Sequence, residues 1–204
     1  RSGAYKKLVS SYYNKTASTD KSNTTSTKLN SNKNAIAQKR ELTEVKDAAD
    51  SLYEAAGKLT DTSTSKSLFK KADKVTNDIT SAVKDYVKNY NSLIEEAADT
   101  TNSKVTGKVS FMTGQANAYK SSLEKVGITI NSDKTLSIDE DTFKKSDISD
   151  VKKLFNGSGS MAYQTFVRAS DISSAAENAS ASVTSYGADG MYNNYYNSAY
   201  NWYL

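Results

Sequence analysis

Four stretches of this chain space apolar residues three and four positions apart, and no proline interrupts any of them. Such spacing lays the apolar side chains along one stripe of an α-helix. Proline would remove an amide donor and clash with the preceding turn, so its absence permits long helices. The first stretch starts at Ile36 and runs through Leu42, Val45, Ala49, Leu52, Ala56 and Leu59, with Gly57 and the cluster at 60–65 predicted to end it. The second is predicted from about Lys66 to Ala98, through Leu68, Ala72, Val75, Ile79, Val83, Tyr86, Tyr90, Leu93 and Ala97. At about 1.5 Å per residue that helix would be on the order of 50 Å long.

A third stripe, Val105, Val109, Met112, Ala116, Tyr119, Leu123 and Val126, follows the turn at 99–103 and ends at Gly127, a suitable C-terminal cap. Within it, Gly107 and Gly114 each weaken the helix by up to about 1 kcal/mol relative to alanine. A fourth runs Ala162, Phe166, Ala169, Ile172, Ala176, Ala179, Val183 and Tyr186, stopped by Gly187. Between the last two, Ile128 and Ile130 are mirrored by Leu136 and Ile138 across the polar turn 131–134, which predicts a small β-hairpin. Asp139 or Asp141 is placed to cap a short helix carrying Phe143, and Asp147 or Ser149 one carrying Val151, Leu154 and Phe155.

The fold class expected is therefore mainly α, an elongated antiparallel helical bundle or coiled coil with one small β-hairpin. Its organisation reads as an N-terminal helix over 1–13, a polar linker over 14–34, a long helical body over 35–127, hairpin and short helices over 128–156, and a C-terminal helix with a tyrosine-rich tail over 157–204, one domain overall. The N-terminal helix rests on the stripe Tyr5, Leu8, Val9, Tyr12 and Tyr13; the linker contains only Ala17 and Leu29 as apolar residues. Leu, Ile, Val and Phe together make up 35 of 204 residues, a thin core supplemented by 14 tyrosines. Net charge is only +4, with 27 basic and 23 acidic residues interspersed, so a solvated surface is expected and no nucleic-acid partner. No apolar run is long enough for a transmembrane segment.

The chain has neither His nor Cys, which excludes a Ser/His/Asp triad, a thiolate nucleophile and an ordinary zinc site. Paired carboxylates at Glu95–Glu96 and 139–141 are accounted for by helix surface and capping. Asn131, Asp133 and Thr135 begin like a calcium loop, but Leu136 stands where glycine is needed and Thr142 where a bidentate Glu is needed. Gly157-x-Gly159-x-x-Ala162 lacks the preceding strand of a dinucleotide fingerprint and reads as a hinge. No catalytic residue, metal ligand or cofactor is expected, and the protein is read as not an enzyme.

Two segments carry a resemblance. Tyr86-Val87-Lys88-Asn89-Tyr90-Asn91-Ser92-Leu93-Ile94 follows the pattern FVxxYNxLI. Val126 to Ile130, then Asp133-Lys134-Thr135-Leu136-Ser137-Ile138-Asp139-Glu140-Asp141-Thr142-Phe143, then Val151 to Phe155, follow LGI, DGxLxlDexxL and VxxLF in order. Over roughly 75–165 the chain resembles the flagellar filament cap, or hook-associated, family. It departs from that family at Lys134-Thr135, where an Asp-Gly-like pair is usual, and in a much shorter segment between the motifs than the family's variable domain. The resemblance implies a structural, extracellular, secreted protein of the bacterial flagellum that assembles with itself or with flagellin-like axial proteins.

The tail repeats aromatic residues at helical steps: Tyr192, Tyr196, Tyr200 and Tyr203, with Tyr195 and Trp202 beside them. Large amphipathic rings in this density call for burial, either against the N-terminal stripe or in an interface. These six residues are the candidate interface. The alternative function is a secreted or cell-surface helical adhesion module that binds a surface or glycan ligand through this tail.

Overall fold

The computed structural model describes residues 25–63 and 67–185, with side chains over 33–63 and 67–183. Residues Gln38–Thr184 form one compact unit; residues 25–37 and Ser185 belong to a second. The predicted N-terminal helix and all six tail aromatics, Tyr192, Tyr195, Tyr196, Tyr200, Trp202 and Tyr203, lie outside the described residues.

Among the described residues the elements are α1 (Thr25–Thr60), α2 (Asn77–Asp99), α3 (Ser103–Ala116), a single 3-10 turn (Asn117–Tyr119), α4 (Lys120–Lys125), β1 (Ile128–Ile130), β2 (Leu136–Ile138), α5 (Glu140–Lys145), α6 (Ile148–Phe155) and α7 (Met161–Ser185). The protein is mainly α with one small antiparallel hairpin, as its periodicity predicts. Every stripe residue from Leu42 to Leu59 is buried, as are Ile79, Val83, Tyr86, Tyr90, Leu93 and Ala97 on α2 and Val105, Val109, Met112 and Ala116 on α3.

Boundaries differ from expectation in four places. Helix α1 begins at Thr25, inside the stretch read as a linker. Low apolar content argues against burial but not against helix, and with neither Gly nor Pro between 25 and 42 a helix seated by Leu42 onward continues toward its N-terminus at little cost per residue. Gly57 does not end α1. It lies within the helix, where an added Cβ would sit 3.3 Å from the Phe166 ring, so its missing side chain admits α7. Helix α2 starts at Asn77 and not near Lys66, because the Thr76 hydroxyl accepts from the Ile79 amide at 3.2 Å and caps it. Upstream, Phe69 is buried and Leu68, Ala72 and Val75 pack on the core from turns. The third predicted helix is split: the Asn117 amide bonds back to the Gly114 carbonyl, tightening the chain into the 3-10 turn before α4.

Helix α7 runs antiparallel to α1 and to α3. Along α1, Asp50 accepts from the Ser173 hydroxyl at 2.6 Å, and Tyr53 three residues on stacks on Phe166. Along α3, Gln115 accepts from Arg168, and beyond it the Tyr119 hydroxyl reaches the Gly159 carbonyl at 3.3 Å. Ala162, Ala169, Ile172 and Ala176 are fully buried, and three of these four are small alanines.

In the hairpin, Ile128 pairs with Ile138, Thr129 with Ser137 and Ile130 with Leu136. Gly127, at φ +78, turns the chain out of α4, and an added Cβ there would lie 2.8 Å from Thr142 Cβ. The turn is closed by the Asn131 amide donating to the Thr135 carbonyl at 2.8 Å and by Asp133, which accepts from the Thr135 amide and hydroxyl. Of the alternative caps, Asp139 is used for α5 and Asp147 for α6.

Candidate interaction surfaces

The two segments that carry the family resemblance meet inside the fold. Hydrogen-bonded rungs at Gly127/Asp139 and Asn131/Thr135 leave the main-chain groups of Leu136 pointing away from β1. Asn91 of α2 meets both. Its Oδ1 accepts from the Leu136 amide at 2.7 Å, and its Nδ2 donates to the Leu136 carbonyl at 2.8 Å. One carboxamide thus occupies the place a third strand would take.

The aromatic residues of the same segments share one core. Tyr86 contacts the Phe155 ring edge-on at 5.7 Å between centroids, and Phe155 contacts Phe143 at 6.5 Å in the same manner. The Tyr86 hydroxyl shares a 2.8 Å hydrogen bond with Thr165 Oγ1. Tyr90 is 1% exposed, and its hydroxyl has no hydrogen-bond partner among the described residues. Burial raises the ionisation range of both phenols far above the ordinary one, against a small opposing effect of Thr165 on Tyr86.

The carboxylates around the hairpin are engaged structurally. Hydrogen bonds from the Thr142 hydroxyl and amide hold Asp139 below the usual carboxylate range, and Ser149 does the same for Asp147. Glu140 is lowered by hydrogen bonds from Lys84 and then Lys144, tying α5 to α2. Asp150 pairs with Lys125 at 2.7 Å and Lys153 at 3.7 Å. Farther off, burial of Asp50 opposes its ionisation, but the hydrogen bonds from Lys46 and Ser173 outweigh it and keep the carboxyl low.

Among the described residues, two aromatic groups reach solvent. On one side of α7, Tyr53, Phe166 and Tyr163 form a stack with centroid separations of 4.1 and 6.3 Å. Tyr53 and Tyr163 are 38% and 36% exposed. On another side, Phe111 is 55% exposed beneath the Arg168 guanidinium, which lies 4.8 Å from its centroid and also pairs with Asp171 at 3.2 Å. Gly107 and Gly114 lie one turn to either side of Phe111, and a Cβ at either would meet nothing within 4 Å.

Sequence reasoning centred on the tail and passed over these residues. Tyr53, Phe111 and Tyr163 stand off the apolar stripes, and that displacement is the signal that could have found them.

No protein-family model matches the chain, and no curated protein or solved structure matches it significantly.

The arrangement can stack aromatic and apolar groups and pair charges at its surface. Within the described residues, no helix is long and apolar enough to cross a membrane.

Proposed function

We propose that this is a non-catalytic structural protein, secreted by a bacterium, that works by assembling with itself or docking on an extracellular filament, as the flagellar cap and hook-associated family does. The observation that carries this reading is the double hydrogen bond between Asn91 and Leu136. It joins the YN of one family-like segment to the leucine of the other, residues 45 positions apart in the chain. Segments matched separately by resemblance are thereby parts of one packed unit, together with Tyr86, Phe143 and Phe155.

Lys134 adds support. It belongs to the pair at which the chain departs from the family-like pattern, and its φ of +70 lies in the left-handed region that glycine prefers. The backbone keeps the turn although the side chain has changed.

Comparing a bacterium carrying this protein with the same strain lacking the flagellar export apparatus tests the reading. Loss of the protein from both culture medium and sheared filaments is expected; unchanged secretion would reject it. The exposed Tyr53–Phe166–Tyr163 stack favours a second reading, a surface adhesion module, which unchanged secretion together with glycan or cell-surface binding would support.

A further inference from the structure

We infer that copies of this chain associate head to tail, with the Phe111 face of α3 on one copy receiving the Tyr53–Phe166–Tyr163 face of the next. This deepens the self-assembly reading above and rests on it. The first observation is the position of the two glycines. Both lower helix stability, and neither is required by any neighbour among the described residues, since a Cβ at Gly107 or Gly114 would meet nothing there within 4 Å. What they leave is a low surface on both sides of an exposed phenylalanine, where two flat rings of another surface can lie close to the helix backbone.

Charge supplies the second observation. Lys108 and Lys104 are exposed one and two turns from Phe111 along α3, and Arg168 lies over the ring; Asp171 is the carboxylate paired there. Around the Tyr53 stack the balance is inverted. Asp50 lies on the same face of α1, Glu54 is exposed next to Tyr53, and exposed Glu177 acts on Lys46, with exposed Lys58 following Gly57 as the second cation. Three cations against one carboxylate are set opposite three carboxylates against two cations, and each face presents aromatic rings at its centre.

The two faces are also set apart. Phe166 and Arg168 are two residues apart on α7, which places them about 200° around the helix from one another. Contact between them within one molecule is excluded, and contact between copies is heterologous, the kind that builds rings or open rows. One chain holds both halves of a complementary pair, which is why a second copy is the occupant inferred.

The test is sedimentation velocity of the full chain over a concentration series at low and high salt. Concentration-dependent association that salt weakens is expected. K104E/K108E and, separately, E54K/E177K each lower association by about tenfold or more, and the two sets combined in one chain restore most of it. G107A/G114A raises the melting midpoint while lowering association, a split that a purely structural role for the glycines would not give. A strictly monomeric wild-type protein overturns the inference, as does assembly indifferent to every one of these changes. Failure here is distinct from failure of the filament reading, because export dependence is measured without reference to either face.

Discussion

Replacing Asn91 by alanine removes the side chain that satisfies both main-chain groups of Leu136. Leu136 is 2% exposed, so water cannot readily take over. Two hydrogen bonds, at 2.7 and 2.8 Å, are lost, and a donor and an acceptor are left without partners at the edge of a two-stranded sheet. Each such bond contributes about 1 kcal/mol net, and each buried orphan costs about 1 to 3 kcal/mol, so with partial relaxation the total is about 2 to 4 kcal/mol. For a chain of this size that corresponds to a melting midpoint lower by roughly 4 to 16 °C. Asn89→Ala on the same helix is the control: its exposed amide bonds only to Asp85 one turn back, and its change stays within about 0.5 kcal/mol. Urea unfolding followed by circular dichroism reads both variants. If N91A and N89A unfold within about 0.5 kcal/mol of one another, Asn91 does not stand in for a strand.

Other substitutions and pH changes probe separate parts of the fold. Tyr90→Phe removes a hydroxyl that has no partner and is expected to leave stability unchanged or raise it by up to about 1 kcal/mol, whereas Tyr90→Ala empties a core site and costs about 3 to 5 kcal/mol, both by denaturant titration. Gly127→Ala is expected to cost more than Gly157→Ala: both positions have positive φ, at roughly 1 kcal/mol for a non-glycine residue, but only at Gly127 would the new Cβ also meet Thr142. Because the phenols of Tyr86 and Tyr90 ionise only far above the unfolded value near 10, their stability contribution is present below about pH 10 and lost as pH rises above it; alkaline unfolding monitored by tyrosinate absorbance should move to higher pH in Tyr86→Phe/Tyr90→Phe. Asp139 and Asp147 have depressed values, so their contribution is present above the unfolded value near 4 and lost as pH falls below it, and D139N should flatten that acid limb in a pH series of melting midpoints.

The parts of the fold legible in the sequence were those set by side-chain period. Stripe residues from Leu42 to Leu59 and from Ile79 to Ala97 are buried as their spacing predicts, and the alternation of Ile128, Ile130, Leu136 and Ile138 yields the hairpin with its register. Ends were less legible because periodicity does not distinguish a helix from apolar turns at similar spacing. Leu68, Ala72 and Val75 continue the α2 stripe in sequence, yet Thr76 caps the helix after them. Composition misled at α1, where polar residues from Thr25 join a helix whose packed part lies farther on.

The surface was hardly legible. Whether Phe111 or Tyr53 faces solvent depends on which neighbours arrive from α7, a relation between residues more than fifty positions apart that no local pattern encodes. Gly107 and Gly114 read as helix weaknesses in the sequence, and only the empty space above them gives the weakness another meaning.

The proposed role is tested most directly by labelling the protein in a flagellated host and imaging sheared filaments. Fluorescence confined to filaments, at their ends or along their length, and absent in an export-deficient strain is the predicted result. Bare filaments, with the protein retained in the cell or spread over the cell surface in both strains, would contradict it.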